Sequence, residues 1–532
     1  MPSFIERISA LSRRGFLKGA SSAAVLAALS PAVSRTVWAN PIFAAYPFSL
    51  GVASGDPWPD SVVIWTRIAP DPLNGGGMPM QAARVGWEVA RDDRFRDIAV
   101  KGEALARPEL GHSVHVEIGG LAPGRPYWYR FTIGREVSPV GRTKTAPAAD
   151  AMPASLRFVN AGCQRYDDGY FTAFAHLARE ELDFVFHYGD YIYEYRNQPG
   201  AAAPVREVPG DEIYTIVDYR NRYALYKRDR DLQAAHAAHP FLSSYDDHEV
   251  DNNWAGAISE EDGTERFPIA VPPEYFALRK QMALHAWYEN MPVRRAALPV
   301  GPNITAYRRL TYGRLAEINV LDTRQFRDDQ PCGDGIKAPC EAVKNPNAQM
   351  LGPEQERWLF ANLARSDATW NVLGQQVMVM RHDRGTESEP LFSMDKWDAV
   401  PTARDRLLRH VAQAGTKGLV VLTGDIHQGW AGDLKADFLK PNSATLGTEF
   451  VASSISTNRD GFEIDETRRQ QLARNPHIKY FNSRRGYCVH EATAERMLVH
   501  FRAVDYVTRP GAPLVTKASF AVEANNPGAK AA

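Results

Sequence analysis

Four short clusters in this chain carry residue types that can do chemistry together. The first is Gly189-Asp190-Tyr191-Ile192-Tyr193. A carboxylate on a turn can bridge two cations, and a phenol three residues on can curl back to the same point; a tyrosine phenolate suits a hard trivalent ion such as Fe(III). The second is Asp246-Asp247-His248-Glu249-Val250-Asp251-Asn252-Asn253. So many acids in one stretch repel one another unless a counter-charge is present, and a metal would supply it. The third is Gly424-Asp425-Ile426-His427, where an acid and an imidazole two apart can face neighbouring ions. The fourth, Gly162-Cys163-Gln164, offers a thiol. Each has a blander reading. Asp190 could cap a helix with Tyr193 as a core aromatic, the acidic stretch could be a solvated loop, and Cys163 could be an inert core cysteine. Taken together, the clusters supply carboxylates that suit Ca or Mn and a thiol–phenol–imidazole set that suits iron. A site with more than one metal points to hydrolysis by a metal-activated hydroxide.

The elements that would position these clusters form a pattern. Residues 156–161 read as an apolar strand ending at Gly162-Cys163, and residues 182–188 as a second ending at Gly189-Asp190. Residues 242–245 lead into Asp246-Asp247, and residues 418–422 end at Thr423-Gly424-Asp425. Helices over 170–181 and 354–364 lie between them, which makes this part an α/β domain. Every cluster follows a strand, and α/β sheets bind ligands beyond the carboxyl ends of their strands. Residues 45–147 instead read as all-β: 61–66 is a compact β-rich run, Val85-Gly86-Trp87-Glu88-Val89 alternates, and Pro123-Gly124 turns into an aromatic strand. This predicts an immunoglobulin- or fibronectin-like sandwich. Residues 145–153 read as a linker, 154–525 as the catalytic domain, and the end as one strand over 519–522 that then frays.

The bulk properties are those of a globular chain. Its 532 residues allow more than one domain, and Lys+Arg of 62 against Asp+Glu of 63 gives no basic surplus to suggest an obligate nucleic-acid partner. Four cysteines are too few for a disulfide scaffold, though Cys332 and Cys340 bracket a short loop that could close in an oxidising compartment or stay as two thiols. Residues 1–39 read as a signal peptide: Ser12-Arg13-Arg14-Gly15-Phe16-Leu17-Lys18 resembles a twin-arginine export signal, and Val37-Trp38-Ala39 ends it. No later run is apolar enough to cross a membrane. There is no Gly-rich phosphate loop and no G-x-S-x-G nucleophile elbow.

The clusters, with Phe48-Ser49-Leu50-Gly51-Val52-Ala53-Ser54-Gly55-Asp56-Pro57 and Asp322-Thr323-Arg324-Gln325-Phe326-Arg327, resemble in order the alkaline phosphatase D family. That family falls among the calcineurin-like metallophosphoesterases related to purple acid phosphatases. The resemblance covers nearly all of the chain beyond the signal. It implies a β-sandwich followed by an αββα metallophosphoesterase domain, with Fe(III) and Ca(II). It implies that Cys163, Tyr193 and His427 hold iron, that Asp190 bridges, and that Asp247, Asn252 and Asp425 hold calcium. His248 matches a histidine that lies near the leaving group. The expected activity is hydrolysis of phosphomonoesters or phosphodiesters, small, lipid or polymeric, in the periplasm or outside the cell after export by the twin-arginine machinery. A phospholipase D-type diesterase and a non-catalytic binding protein with a degenerate phosphatase fold are the rival readings. One departure is visible: the family's Trp-Asp-Gly-Tyr-Pro stretch reads Trp397-Asp398-Ala399-Val400-Pro401, which removes an aromatic expected at the pocket rim. Arg324 could contact phosphate or form a structural ion pair.

Overall fold

The computed structural model describes residues 41–195, 203–259, 271–386 and 388–532. The segment expected to be an export signal, residues 1–39, lies outside the described residues. Seven strands organise the catalytic part: β1 (Leu156–Ala161), β2 (Phe184–His187), β3 (Pro240–Ser243), β4 (Ala316–Val320), β5 (Trp370–Gly374), β6 (Leu419–Thr423) and β7 (Thr445–Val451). The first three pair in parallel within a ten-stranded sheet. The other four pair in parallel within a seven-stranded sheet.

Alternation along these strands builds three cores. Phe158, Phe184, Phe186 and Leu242 of one sheet meet Ile318, Val372, Val420, Leu422 and Phe450 of the other in a shared interior. The intervening residues face outward. Val159, Val185 and Phe241 pack under Phe174, Tyr223, Leu232 and Trp287 from the helices on one side. Leu373, Val421 and Val451 pack under Leu359 and Leu407 on the other. The helices that supply these residues are Thr172–Leu177, Ile216–Lys227, Arg230–Ala238 and Pro273–Asn290 on the first side, and Gly352–Arg365 and Pro401–Ala414 on the second. This is an αββα sandwich, and strands buried on both faces explain the near-continuous apolar runs.

The N-terminal part is a two-layer β-sandwich with a shared layer. Val85, Val89, Tyr129 and Phe131 of a five-stranded sheet pack on Val52, Val62, Ile64 and Val114. Those last residues belong to strands Val52–Gly55, Val62–Arg67 and Ser113–Ile118, which extend the ten-stranded catalytic sheet. Val52–Gly55 joins it by pairing in parallel with β3, Ser54 opposite Pro240. The expected helix over 170–181 is shorter, Thr172–Leu177.

The C-terminus does not fray. Leu514–Glu523 is followed by a further strand, Asn526–Ala531, that pairs back on it. That strand is anchored from outside, because Asp433 Oδ1 accepts the Ala529 N–H at 2.9 Å and Lys479 Nζ donates to the Ala529 carbonyl at 2.7 Å. Cys332 and Cys340 form a disulfide. Among the described residues no helix is long and apolar enough to cross a membrane.

Candidate metal centre

The carboxyl ends of β1, β2, β3 and β6 bring the four clusters to one place. Cys163, Asp190 and His427 offer ligand atoms within 4.8 Å of one another; so do Asp190, Asp247 and His248, and so do Asp246, Asp247 and Asp425. The three groups overlap, sharing Asp190 between the first two and Asp247 between the last two. Tyr193 joins at the same point, its hydroxyl donating to Asp190 Oδ2 at 2.8 Å and lying 3.1 Å from His427 Nε2. The Tyr193 and Thr457 hydroxyls are 2.9 Å apart, and Thr457 in turn donates to the Cys163 carbonyl at 2.7 Å.

The turns that present these groups are unusual. Cys163, Asp190, Asp425 and His427 have φ of 52°, 53°, 62° and 57°, the left-handed region that residues with a Cβ seldom enter. Each such residue costs about 1–3 kcal/mol and persists where its surroundings over-determine it. Glu249 is one of the determinants: it accepts the N–H groups of Asp190, Tyr191 and Asp246 at 3.1, 2.7 and 2.9 Å. The glycines ahead of the ligands have a packing reason. A Cβ on Gly162 or Gly424 would run into the ring of Tyr188, whose hydroxyl donates to the Ser453 carbonyl at 3.0 Å.

Electrostatically the centre is overcharged. Burial and then the neighbouring Asp190 push the Cys163 thiol and the Tyr193 phenol well up. Asp246, Asp247 and Asp425 are also raised, chiefly by burial, although Arg324 (and, at Asp425, Lys396) works in the opposite direction. Asp190 is held low in spite of its burial by His248, His427 and Tyr193. Asp190 Oδ1 and Asp246 Oδ2 are buried without a hydrogen-bond partner. Buried carboxylate oxygens left in this state are expensive. A bound cation would satisfy them and would also take the thiol and phenol as anions, so the donor set fits a metal.

Arg324 is fully buried and serves four carboxylates. Its Nε donates to Asp246 at 2.6 Å and its Nη1 to Asp395 at 2.7 Å, while Nη2 lies 3.5 Å from Asp247 and 3.3 Å from Asp425. It is therefore an internal ion-pair hub. Lys396 adds a second cation, paired with Asp425 and, at 3.1 Å, with Asp395.

His248 lies beside Asp190 and Asp247, its ring centroid 4.1 Å from that of Tyr193. Its Nδ1 is 2.8 Å from Glu194 Oε2. Burial disfavours the imidazolium, yet Tyr195, Glu194, Asp247 and Asp190 hold it well above the usual histidine range. Asn252 is placed by its backbone, whose N–H donates to Glu194 Oε1 at 2.7 Å. Its neighbour Asn253 donates its own N–H to Asp247 Oδ2 at 2.8 Å.

Asp246, Glu249, Glu194, Asp395 and Lys396 are the members that sequence reasoning did not single out. Asp246 and Glu249 sat within a recognised cluster and Glu194 beside Tyr193, whereas Asp395 and Lys396 come from a turn with no periodic signal. Ala399 and Val400, where the aromatic of the family motif is missing, are buried in the core. The change therefore falls at buried positions.

Comparison with known proteins agrees with this architecture. The profile of the PhoD-like phosphatase family matches residues 158–501, and that of the PhoD-like phosphatase N-terminal domain matches residues 34–147. Alkaline phosphatase D of Bacillus subtilis (strain 168) is 48% identical over 523 residues, which span 97% of this chain and 88% of that protein. The solved structure described as "Structure of PhoD" superposes with a TM-score of 0.89 at 49% identity, covering 92% of this chain and 93% of its own. The chain belongs to the PhoD-like phosphatase family and is a phosphoric ester hydrolase.

Proposed function

We propose that this chain is an exported, metal-dependent phosphoesterase of the alkaline phosphatase D type, acting on phosphomonoesters, phosphodiesters or both. The observation that carries the metal dependence is the overlap of three ligand groups through Asp190 and Asp247, with buried carboxylate oxygens lacking partners. In this reading Cys163, Tyr193 and His427 would hold Fe(III), Asp247, Asn252 and Asp425 would hold Ca(II), and Asp190 would serve both groups. The bound cations supply Lewis-acid charge for the oxygens of a phosphate ester. The chain's own residues do the rest. Glu249 fixes the turns that aim Asp190 and Asp246. Arg324 and Lys396 limit the repulsion among the carboxylates. With its Nδ1 engaged by Glu194, His248 has Nε2 left to give a proton to the departing oxygen.

Export is supported by the twin-arginine pattern of residues 12–18 and by the disulfide, a bond characteristic of oxidising compartments. Residues 45–147 form the N-terminal unit, and the catalytic unit runs from residue 154 and takes in the strand Asn526–Ala531; the two are joined through the shared sheet. Dialysis against a chelator, then return of iron and calcium, tests the reading with an aryl phosphomonoester and an aryl phosphodiester as substrates. Hydrolysis should vanish and return. Full hydrolysis by the metal-free protein would contradict it. The ratio of the two rates assigns the substrate class, and a lipid phosphodiester added to the panel tests headgroup hydrolysis.

A further inference from the structure

The loop closed by the Cys332–Cys340 disulfide is linked to the metal centre along two routes. On the first, Asp334 within the closed loop accepts from Asn253 Nδ2 at 2.8 Å, and the Asn253 N–H donates to Asp247 Oδ2 at 2.8 Å. Asn253 and Asp334 both have left-handed backbones, with φ of 52° and 56°, so each needs outside support to stay in place. On the second, Ile336–Lys337 pairs antiparallel with Phe392–Ser393, and the Met394 N–H donates to the Gly335 carbonyl at 2.8 Å. The next two residues are Asp395 and Lys396, the partners of Arg324 and Asp425. Cys332 itself packs on Val343, Phe392, Met394 and Ala399, beneath that same segment.

Besides the disulfide, the loop is held by the short ribbon and by its own Lys337, whose Nζ donates to the Cys332 and Gly333 carbonyls at 3.1 and 2.8 Å. Ile336 and Lys337 are exposed, and the ribbon is two residues long on each side. A two-stranded ribbon of that kind is marginal in water, so a covalent link sets its position.

We propose that the disulfide is a clasp for the Asp247–Asp425 half of the centre, with Asp334 and Asn253 as the positioning residues through which it acts. The inference rests on the metal-dependent reading above. Breaking the bond loosens that half and leaves the Cys163–Tyr193–His427 group in place. Cys340 is exposed while Cys163 and Cys488 are buried, so a reductant meets the clasp first. With a water-soluble trialkylphosphine, phosphorus attacks one sulfur and the S–S bond breaks. Water then gives its oxygen to phosphorus and its two protons to the sulfurs, leaving a phosphine oxide and two thiols. The phosphine loses the two electrons that the disulfide gains.

The test is calcium titration by calorimetry, with iron content measured alongside, on the full chain. The untreated protein is compared with phosphine-treated protein and with the C332S/C340S double variant. Calcium affinity should fall roughly 10–100-fold, the range for loss of a group that orients a metal ligand, while iron content stays unchanged. With the disulfide intact, Asp334→Ala should reproduce the fall, and Asp334→Asn, which keeps an acceptor for Asn253, should restore most of it. Undiminished calcium affinity without the disulfide, or equal losses in the two Asp334 variants, overturns the inference alone. A wild-type chain that binds no calcium overturns the reading of the centre and the inference with it.

Discussion

Glu249 and Asp190 are joined across two strand ends: the buried Glu249 carboxylate accepts the Asp190 N–H at 3.1 Å and holds the left-handed turn that aims the Asp190 side chain inward. The same carboxylate takes the N–H groups of Tyr191 and Asp246, so the ends of β2 and β3 are pinned by one side chain. Glu249→Ala leaves three donors without their acceptor. At about 1–3 kcal/mol for each buried group left unsatisfied, the loss should be at least ~3 kcal/mol in urea denaturation. Glu249→Gln keeps one oxygen and should lose less. Equal losses would contradict the pinning role.

The His248–Glu194 pair predicts a leaving-group effect. If His248 protonates the departing oxygen, His248→Ala should slow alkyl phosphates much more than activated aryl phosphates, and equal losses would sink that role. Glu194→Gln removes a carboxylate that keeps His248 protonated. The histidine then loses its proton at lower pH. The alkaline limb of the alkyl phosphate profile should move toward acid, and an unmoved limb would remove Glu194 from the scheme.

Arg324 is a hub for four carboxylates and has no exposed surface. Removing one partner of a buried ion pair costs about 3–5 kcal/mol, because a charge is left uncompensated. Arg324→Met should therefore lower stability by that order in denaturant titration. An unaltered unfolding midpoint with a raised KM would instead point to phosphate binding.

Much of this was legible in the sequence, for a physical reason. Strands buried on both faces leave continuous apolar runs, and a polar residue directly after such a run, as at Cys163, Asp190 and Asp425, stands out. Those positions, with Tyr193, Asp247, His248 and His427, are the ones the structure brings together. Asn252 was expected only from the family resemblance, and the contact that places it is a backbone one. Arg324 could be read two ways until its burial among carboxylates settled the matter. Lys396 and Asp395 were not legible, because a turn delivers them and their role depends on a ribbon formed with residues far away in the chain. Nor could strand pattern tell that Val52–Gly55 pairs with β3, since alternation fixes which face is buried but not which neighbour is paired.

A pH effect on stability follows from His115, away from the centre. Burial pushes it down to about 4 although its Nε2 lies 2.9 Å from two backbone carbonyl oxygens, those of Tyr288 and Met291. Unfolded, it titrates near 6.5. Between those values the unfolded chain binds the extra proton, so this contribution rises with pH and is lost as pH falls from 6.5 toward 4, by up to ~1.4 kcal/mol per pH unit. Glu449, pushed up to about 7 by burial, holds a proton in the folded state that it lacks when unfolded and gives the opposite slope over an overlapping range. The histidine is therefore isolated by difference. The stability gap between wild type and His115→Gln should narrow on acidification from pH 6.5 to 4.5, and a constant gap would contradict the assignment.

The most direct test of the central claim is elemental analysis of the purified wild-type chain and of Asp190→Ala, with aryl phosphate hydrolysis measured on the same samples. Asp190 belongs to two of the three ligand groups, so the wild type should carry iron and calcium and the variant should lose both metals and turnover together. A wild type that turns over at full rate without metal, or an Asp190→Ala chain that keeps its metals and its activity, would contradict the account.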